Sequence, residues 1–139
     1  MFVKILSYEN LNDKSRSVEV VNPTWSDIRD AILKLDGHYR SSISLMKDED
    51  DEYEEYMGIG GGGNSGLYIC FISTQNPNDC DWQLYDPSKS SSDSVEIIAG
   101  QKTWFALNVC VGINEILKAS EAYARFGKKD ESLYWREYE

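Results

Sequence analysis

The chain has 139 residues, 41% hydrophobic and 12% aromatic, enough to build a core as one domain over 1–139 without disulfides or a structural metal. Its 24 acids against 14 bases leave a formal net charge of -10. That balance argues against nucleic acid or an anionic membrane as a direct partner, because both need clustered Lys and Arg; it serves solubility, or it steers a basic partner toward the chain.

In chain order, Phe2 to Tyr8 and Ser17 to Val21 read as two strands joined by the polar stretch Asn10 to Arg16. Asn22-Pro23-Thr24 opens a helix, with Thr24 as N-cap and Asp27 three residues on as a short capping box. Trp25, Ile28, Ala31, Ile32 and Leu35 share one face of it, and Gly37 is the expected stop. Ser41 to Met46 alternates as a half-buried strand; Tyr56 to Ile59, Leu67 to Ile72, Trp82 to Tyr85 and Val95 to Ala99 read as further strands. A last helix is expected from near Leu107, with Val109, Ile113, Ile116, Ser120 and Tyr123 on one stripe, ending at Gly127. The charged tail carries Leu133, Tyr134, Trp135 and Tyr138, which suits a segment packed back on the body. The expected fold is α+β: a mainly antiparallel sheet with two principal helices in β-β-α-β-β-β-β-β-α order.

Little in this inventory points to chemistry. Cys70, Cys80 and Cys110 form no C-x-x-C pair, so a zinc ribbon or thioredoxin-type site is not expected. Cys70 and Cys110 lie in apolar runs and are read as core, whereas Cys80 has Asp79 and Asp81 beside it, which oppose a thiolate. This cysteine usage fits a reducing compartment. No signal peptide opens the sequence and no apolar run approaches the ~18 residues of a membrane span, so a cytoplasmic location is expected. His38 is the single histidine and no G-x-S-x-G elbow accompanies it, so a triad is not expected. Gly58-Ile59-Gly60-Gly61-Gly62-Gly63 matches G-x-G-x-x-G, but a strand rather than a helix is expected after it. The glycines are therefore read as a hairpin connection, not a dinucleotide site. Carboxylates are plentiful, yet no apolar pocket is visible to raise the pKa of a general acid. No cofactor and no metal are expected.

The clearest polarity signal is Asp48-Glu49-Asp50-Asp51-Glu52-Tyr53-Glu54-Glu55, in which seven of eight residues are acidic. Placed between two strands, the run is either a solvated loop or a negative prong for a basic partner, with Tyr53 and Tyr56 as aromatic anchors. It lacks the D-x-[DN]-x-[DN]-G pattern of a calcium loop. Trp82, Tyr85 and Asp86, on a short polar strand, are second-choice contacts.

A set of landmarks recurs along nearly the whole chain, from about Val18 to Trp135. Asn22-Pro23-Thr24-Trp25 is followed by Ala31-Ile32-Leu33-Lys34-Leu35-Asp36-Gly37, then by a Gly-rich hairpin into Gly66-Leu67-Tyr68. Ile98-Ala99-Gly100-Gln101, Ala122-Tyr123-Ala124-Arg125-Phe126-Gly127 and Leu133-Tyr134-Trp135 complete the series. In that order the pattern resembles the first-numbered Imm family of bacterial polymorphic-toxin immunity proteins. The resemblance implies a small cytoplasmic inhibitor without catalysis, acting by stoichiometric binding to a cognate toxin domain with a basic surface, commonly a nucleic-acid deaminase. A nuclease toxin, a small carboxylate-dependent enzyme and an intracellular adaptor are the alternatives. Trp25, Gly66, Gly100, Gln101 and Trp135 are read as structural, and the acidic run as an elaboration of a shorter family loop.

Overall fold

A computed structural model describes residues 1–11 and 16–138. Their elements are β1 (Ile5–Asn10), β2 (Arg16–Val21), α1 (Trp25–Leu33), β3 (Ser42–Met46), β4 (Tyr56–Gly61), β5 (Tyr68–Ser73), β6 (Asp81–Tyr85), β7 (Ser94–Ala99), β8 (Gln101–Ala106), α2 (Ile113–Phe126) and β9 (Tyr134–Tyr138). Seven strands form one sheet in the order β2-β1-β3-β4-β5-β6-β9, every neighbouring pair antiparallel. β7 and β8 form a separate hairpin. The α+β class and two helices are as expected, with β8 and β9 added to the expected order.

The period of two along each strand sorts its side chains onto two faces. One face carries Leu6, Ile43, Leu45, Met57, Ile59, Cys70, Ile72 and Leu84, packed against Ile28 and Ile32 of α1 and Ile116, Ala119 and Tyr123 of α2. Most of these are at most a few per cent exposed, and each fully buried aliphatic contributes roughly 1.5–3 kcal/mol relative to exposure. The opposite face is only partly covered. The β7–β8 hairpin lies over it at the β4–β5 end, where Ile97, Ile69 and Cys110 make a small second core with Val95, Ala99 and Phe105 around them.

Local chemistry explains the boundaries. α1 starts on a reciprocal cap: Asp27 N–H donates to Thr24 Oγ1 at 3.1 Å and Thr24 N–H donates to Asp27 Oδ2 at 2.9 Å. It stops at Leu33, earlier than Gly37, because Leu35 leaves the helix to enter the core at 5% exposure. Asp36 then gathers the turn, accepting from His38 N–H and Arg40 N–H at 2.9 Å each. Those contacts outweigh partial burial and hold its carboxyl below the usual aspartate range.

Three expectations shift. The first strand begins at Ile5, because Phe2 and Val3 instead donate their N–H groups to Ala124 O and clasp the end of α2. The last helix begins at Ile113: Leu107–Val109 is a short 3-10 turn, and Val111 then bridges to Tyr68 before Gly112 caps the helix. The tail packs back as a true strand, β9, on β6. The turn expected over Asn10 to Arg16 lies mostly outside the described residues.

The glycine run holds two backbones together. Gly58 and Gly60 lie within β4, where Phe71 rests on the first and Ala99 of the hairpin on the second. Gly62, at φ +92, lies against the chain just after α1, so a Cβ there would sit 2.6 Å from Leu35 O. A 3-10 turn, Gly63–Ser65, and then β5 follow. The helix that a dinucleotide site requires is not in that position.

Candidate functional site

The acidic run Asp48 to Glu55 connects β3 to β4, at the sheet end where Met46 pairs with Tyr56. It divides into an inward and an outward half. Asp51 organises the inward half, accepting from Glu55 N–H at 2.9 Å while its carbonyl accepts from Glu54 N–H at 3.1 Å. Its side chain is 7% exposed and has Lys47 Nζ at 3.9 Å. Gln75, just past the end of β5, donates its backbone N–H to Tyr53 O at 2.8 Å and its side-chain amide to Glu54 Oε2 at 2.9 Å. Glu55 accepts the Tyr123 hydroxyl at 2.9 Å, which ties the loop to the core of α2. Among the described residues, the outward half, Asp48, Glu49, Asp50 and Glu52, is exposed beside Tyr53 and has no tie to the sheet or helices. Asp48 and Glu49 also border a cleft beside the loop, and Glu54 is exposed too but is tied to Gln75.

The tethered loop folds over the open face of the sheet and closes a cleft of about 370 Å³. Ile5, Met46 and Tyr56 give it an apolar floor. Among the described residues, six acidic ones line it: Asp48, Glu49, Asp51, Glu54, Glu55 and, from β2, Glu19. Glu19 escapes sequence reasoning, because only the pairing of Ser7 with Glu19 and of Ile5 with Met46 places β2 on this side. Like charges so arranged repel one another, and an incoming guanidinium or ammonium relieves that repulsion while its stem covers the apolar floor. Among the described residues, no group of three or more His, Cys, Asp or Glu is placed to hold a metal ion.

The other candidates sit apart from this cleft. Trp82 is on the helix-covered face, packed on the core with Lys129 Nζ 4.0 Å above its ring. Tyr85 is on the open face, but at the far end of β6, edge-on to Tyr134 at 6.1 Å. Asp86 is engaged in its own turn, accepting the Ser88 hydroxyl at 2.6 Å and the Ser88 N–H at 2.9 Å, which keeps its carboxyl low. The structure thus joins the acidic run to Tyr56 and leaves Trp82, Tyr85 and Asp86 elsewhere. Cys70 and Cys110 are buried, and burial pushes both thiols up. Cys80 is pushed up by partial desolvation and then by Glu137 and Asp79.

The Tyr123–Glu55 contact gives a direct test of the tether. Burial, followed by the Glu55 charge, drives the Tyr123 pKa up, so the phenol remains a donor throughout the neutral range. Replacing Tyr123 by Phe keeps the ring that packs against Phe2 but removes the donor. Stability in urea is expected to fall by about 1 kcal/mol, with faster amide exchange across 51–55. Unchanged exchange there would show that the loop holds its shape without this bond.

With the geometry in place, comparison with known proteins assigns the class. The profile of the family described as "Immunity protein Imm1" matches residues 16–137, nearly the whole chain. The chain belongs to the Imm1 family and is an immunity protein, directed against a toxin. No curated protein matches it. Among solved structures, a hypothetical protein from Neisseria gonorrhoeae shares the fold, with a TM-score of 0.61 at 12% identity over 91% of this chain and 90% of that one.

Proposed function

We propose that this protein neutralises its toxin by stoichiometric binding, without catalysis, and that the acidic cleft is where the toxin's basic surface is held. The toxin is proposed to be a nucleic-acid deaminase, met in the cytoplasm by a single inhibitory domain over 1–139. The observation that carries the reading is the tethered loop: six carboxylates held around an apolar floor. A nucleic-acid-modifying toxin needs a basic track for phosphates beside its pocket. A preorganised acidic cleft competes for that track and covers the pocket mouth without having to order itself on binding. The outward half, Asp48, Glu49, Asp50 and Glu52, accelerates encounter through long-range attraction. Tyr53 and Tyr56, with the inward acids Asp51, Glu54 and Glu55, slow release. Trp82, Tyr85 and Asp86 are outlying contacts in this scheme.

Co-expression tests the reading. The C-terminal domain of the toxin encoded beside this chain's gene is expressed with and without the protein, scoring survival and co-purification. Rescue with a one-to-one complex is the expected result. Death despite co-expression, or rescue without a complex, contradicts binding as the mechanism. Uracil or inosine in the nucleic acid of unprotected cells identifies a deaminase, and strand breaks without them identify a nuclease.

A further inference from the structure

Beyond the acidic cleft, the open face of the sheet continues as a second hollow of about 390 Å³, between β3–β6 and the β7–β8 hairpin. Tyr56 lines both hollows, so the two are continuous. Their chemistry differs sharply. Among the described residues, fifteen line the second hollow and none of these is charged, although 27% of the chain is charged and fifteen residues drawn at that share would include about four.

What lines it instead is aromatic, aliphatic, hydroxyl, amide and glycine. Tyr56, Phe71 and Tyr138 form an edge-to-face row, with ring centroids 5.8 and 6.1 Å apart. Ser42, Ser44, Gln101 and Thr103 supply groups that donate or accept, whereas Gln83 is 8% exposed and its Oε1 accepts from the Arg136 guanidinium at 3.4 Å. Gly58 lets the Phe71 ring lie directly on the floor and Gly60 lets Ala99 of the hairpin do the same, while Tyr56, Phe71 and Tyr138 remain partly exposed. Depletion of charge around aromatic anchors marks the centre of protein interfaces, and Tyr, Ser and Gly dominate adaptable binding surfaces. In so acidic a chain, a neutral aromatic strip beside a strongly negative cleft is complementary to a basic partner that also presents uncharged chain next to its cation.

We propose that this neutral groove is the second half of the toxin interface. It takes an extended, uncharged segment of the toxin whose neighbouring Arg or Lys enters the acidic cleft. The aromatic row covers the segment's apolar side chains, and the hydroxyl and amide groups bond its backbone. The exposed acids of the loop then govern the rate of capture, and the groove joins the inward acids and Tyr56 in governing the lifetime of the complex. This deepens the immunity reading and rests on it.

The test uses the full chain and the toxin domain encoded beside its gene. Ser44→Arg and Thr103→Arg each place a cation in the groove, whereas Trp104→Ala removes a 66% exposed side chain from the outer face of the same hairpin. Affinity is read by calorimetry, with melting curves reporting the fold. About thirtyfold weaker binding is expected for each Arg variant, expressed mainly in dissociation, with Trp104→Ala within about threefold of the parent. Folded Arg variants that bind like the parent overturn the groove while leaving the immunity reading intact. A parent chain that neither binds nor protects overturns the immunity reading, and the groove with it. Should the Arg variants fail to fold, a photo-crosslinker at the exposed Gln101 decides. Crosslinks to the toxin support the groove. Crosslinks only to a second copy of this chain, or none, overturn it.

Discussion

Exchanging Asp48, Glu49, Asp50 and Glu52 for their amides is expected to slow capture of the toxin about tenfold at low salt, with the difference closing above roughly 0.5 M salt. These four are the acids to choose because they are exposed and mostly free of structural duty. Among the described residues, the tie to their side chains is Asp50 N–H donating to Asp48 Oδ1 at 3.3 Å. The exchange moves the formal net charge from -10 to -6 without touching the core, so stability stays within about 0.5 kcal/mol of the parent. Dissociation is expected to change less than association, because Asp51, Glu54, Glu55, Glu19 and Tyr56 remain at the cleft even though Asp48 and Glu49 there lose their charge. The inward set behaves differently. Asp51 holds the turn through Glu55 N–H, and its replacement loosens the loop as well as removing a charge. Stopped-flow association across a salt series separates the two groups. An association rate that ignores the outward acids at every salt concentration removes steering from the mechanism.

The second large effect is on stability. Gly62→Ala lowers unfolding free energy by about 3 kcal/mol or more, a large share of the 5–15 kcal/mol typical of a domain. Two costs combine. Gly62 has φ +92 and ψ -166, a region that side chains avoid at about 1–3 kcal/mol. The added methyl would also face Leu35 O at 2.6 Å and Leu35 C at 2.9 Å, backbone atoms that cannot swing aside. Gly66→Ala is the matched control. It too has positive φ, at +64, but a Cβ there meets nothing within 4 Å, so a loss of about 1–2 kcal/mol is expected from conformation alone. Urea midpoints for the pair separate backbone strain from collision. Equal losses would show that the close approach of β4 to the end of α1 contributes nothing. This seam holds the glycine motif in place as architecture, and no part of it faces the acidic cleft.

Sequence reasoning found elements wherever a local signal carried them. α1 was legible because its capping box and apolar stripe lie within a dozen residues. β8 was not, because its alternation is inverted: Trp104 points outward at 66% exposure while Thr103 pairs with Ile97 on the covered side. A strand whose most apolar residue faces water does not declare its face. The start of α2 was misplaced for a related reason. Val109 is buried like a helical residue but belongs to the 3-10 turn before the helix. At the site, the charge of Asp48 to Glu55 was plain, but its division into two halves was not. The partners that turn Glu54 and Glu55 inward are 21 and 68 residues away in sequence. Glu19 and the neutral groove depend on strand order and register, which a single sequence does not state. The acidic run is therefore best described as a tethered wall of a cleft, which is why its tethered and its exposed, untied acids are assigned different kinetic roles.

Inhibition is proposed to rest on one-to-one occlusion of the toxin. The most direct measurement titrates a fixed amount of active toxin domain with this protein, well above the dissociation constant, and follows toxin activity. Activity is expected to fall linearly to the baseline at one equivalent and to return when the complex is separated in high salt. Loss of activity at far less than one equivalent, or loss that persists after separation, would mean that the protein alters the toxin catalytically and would contradict the account.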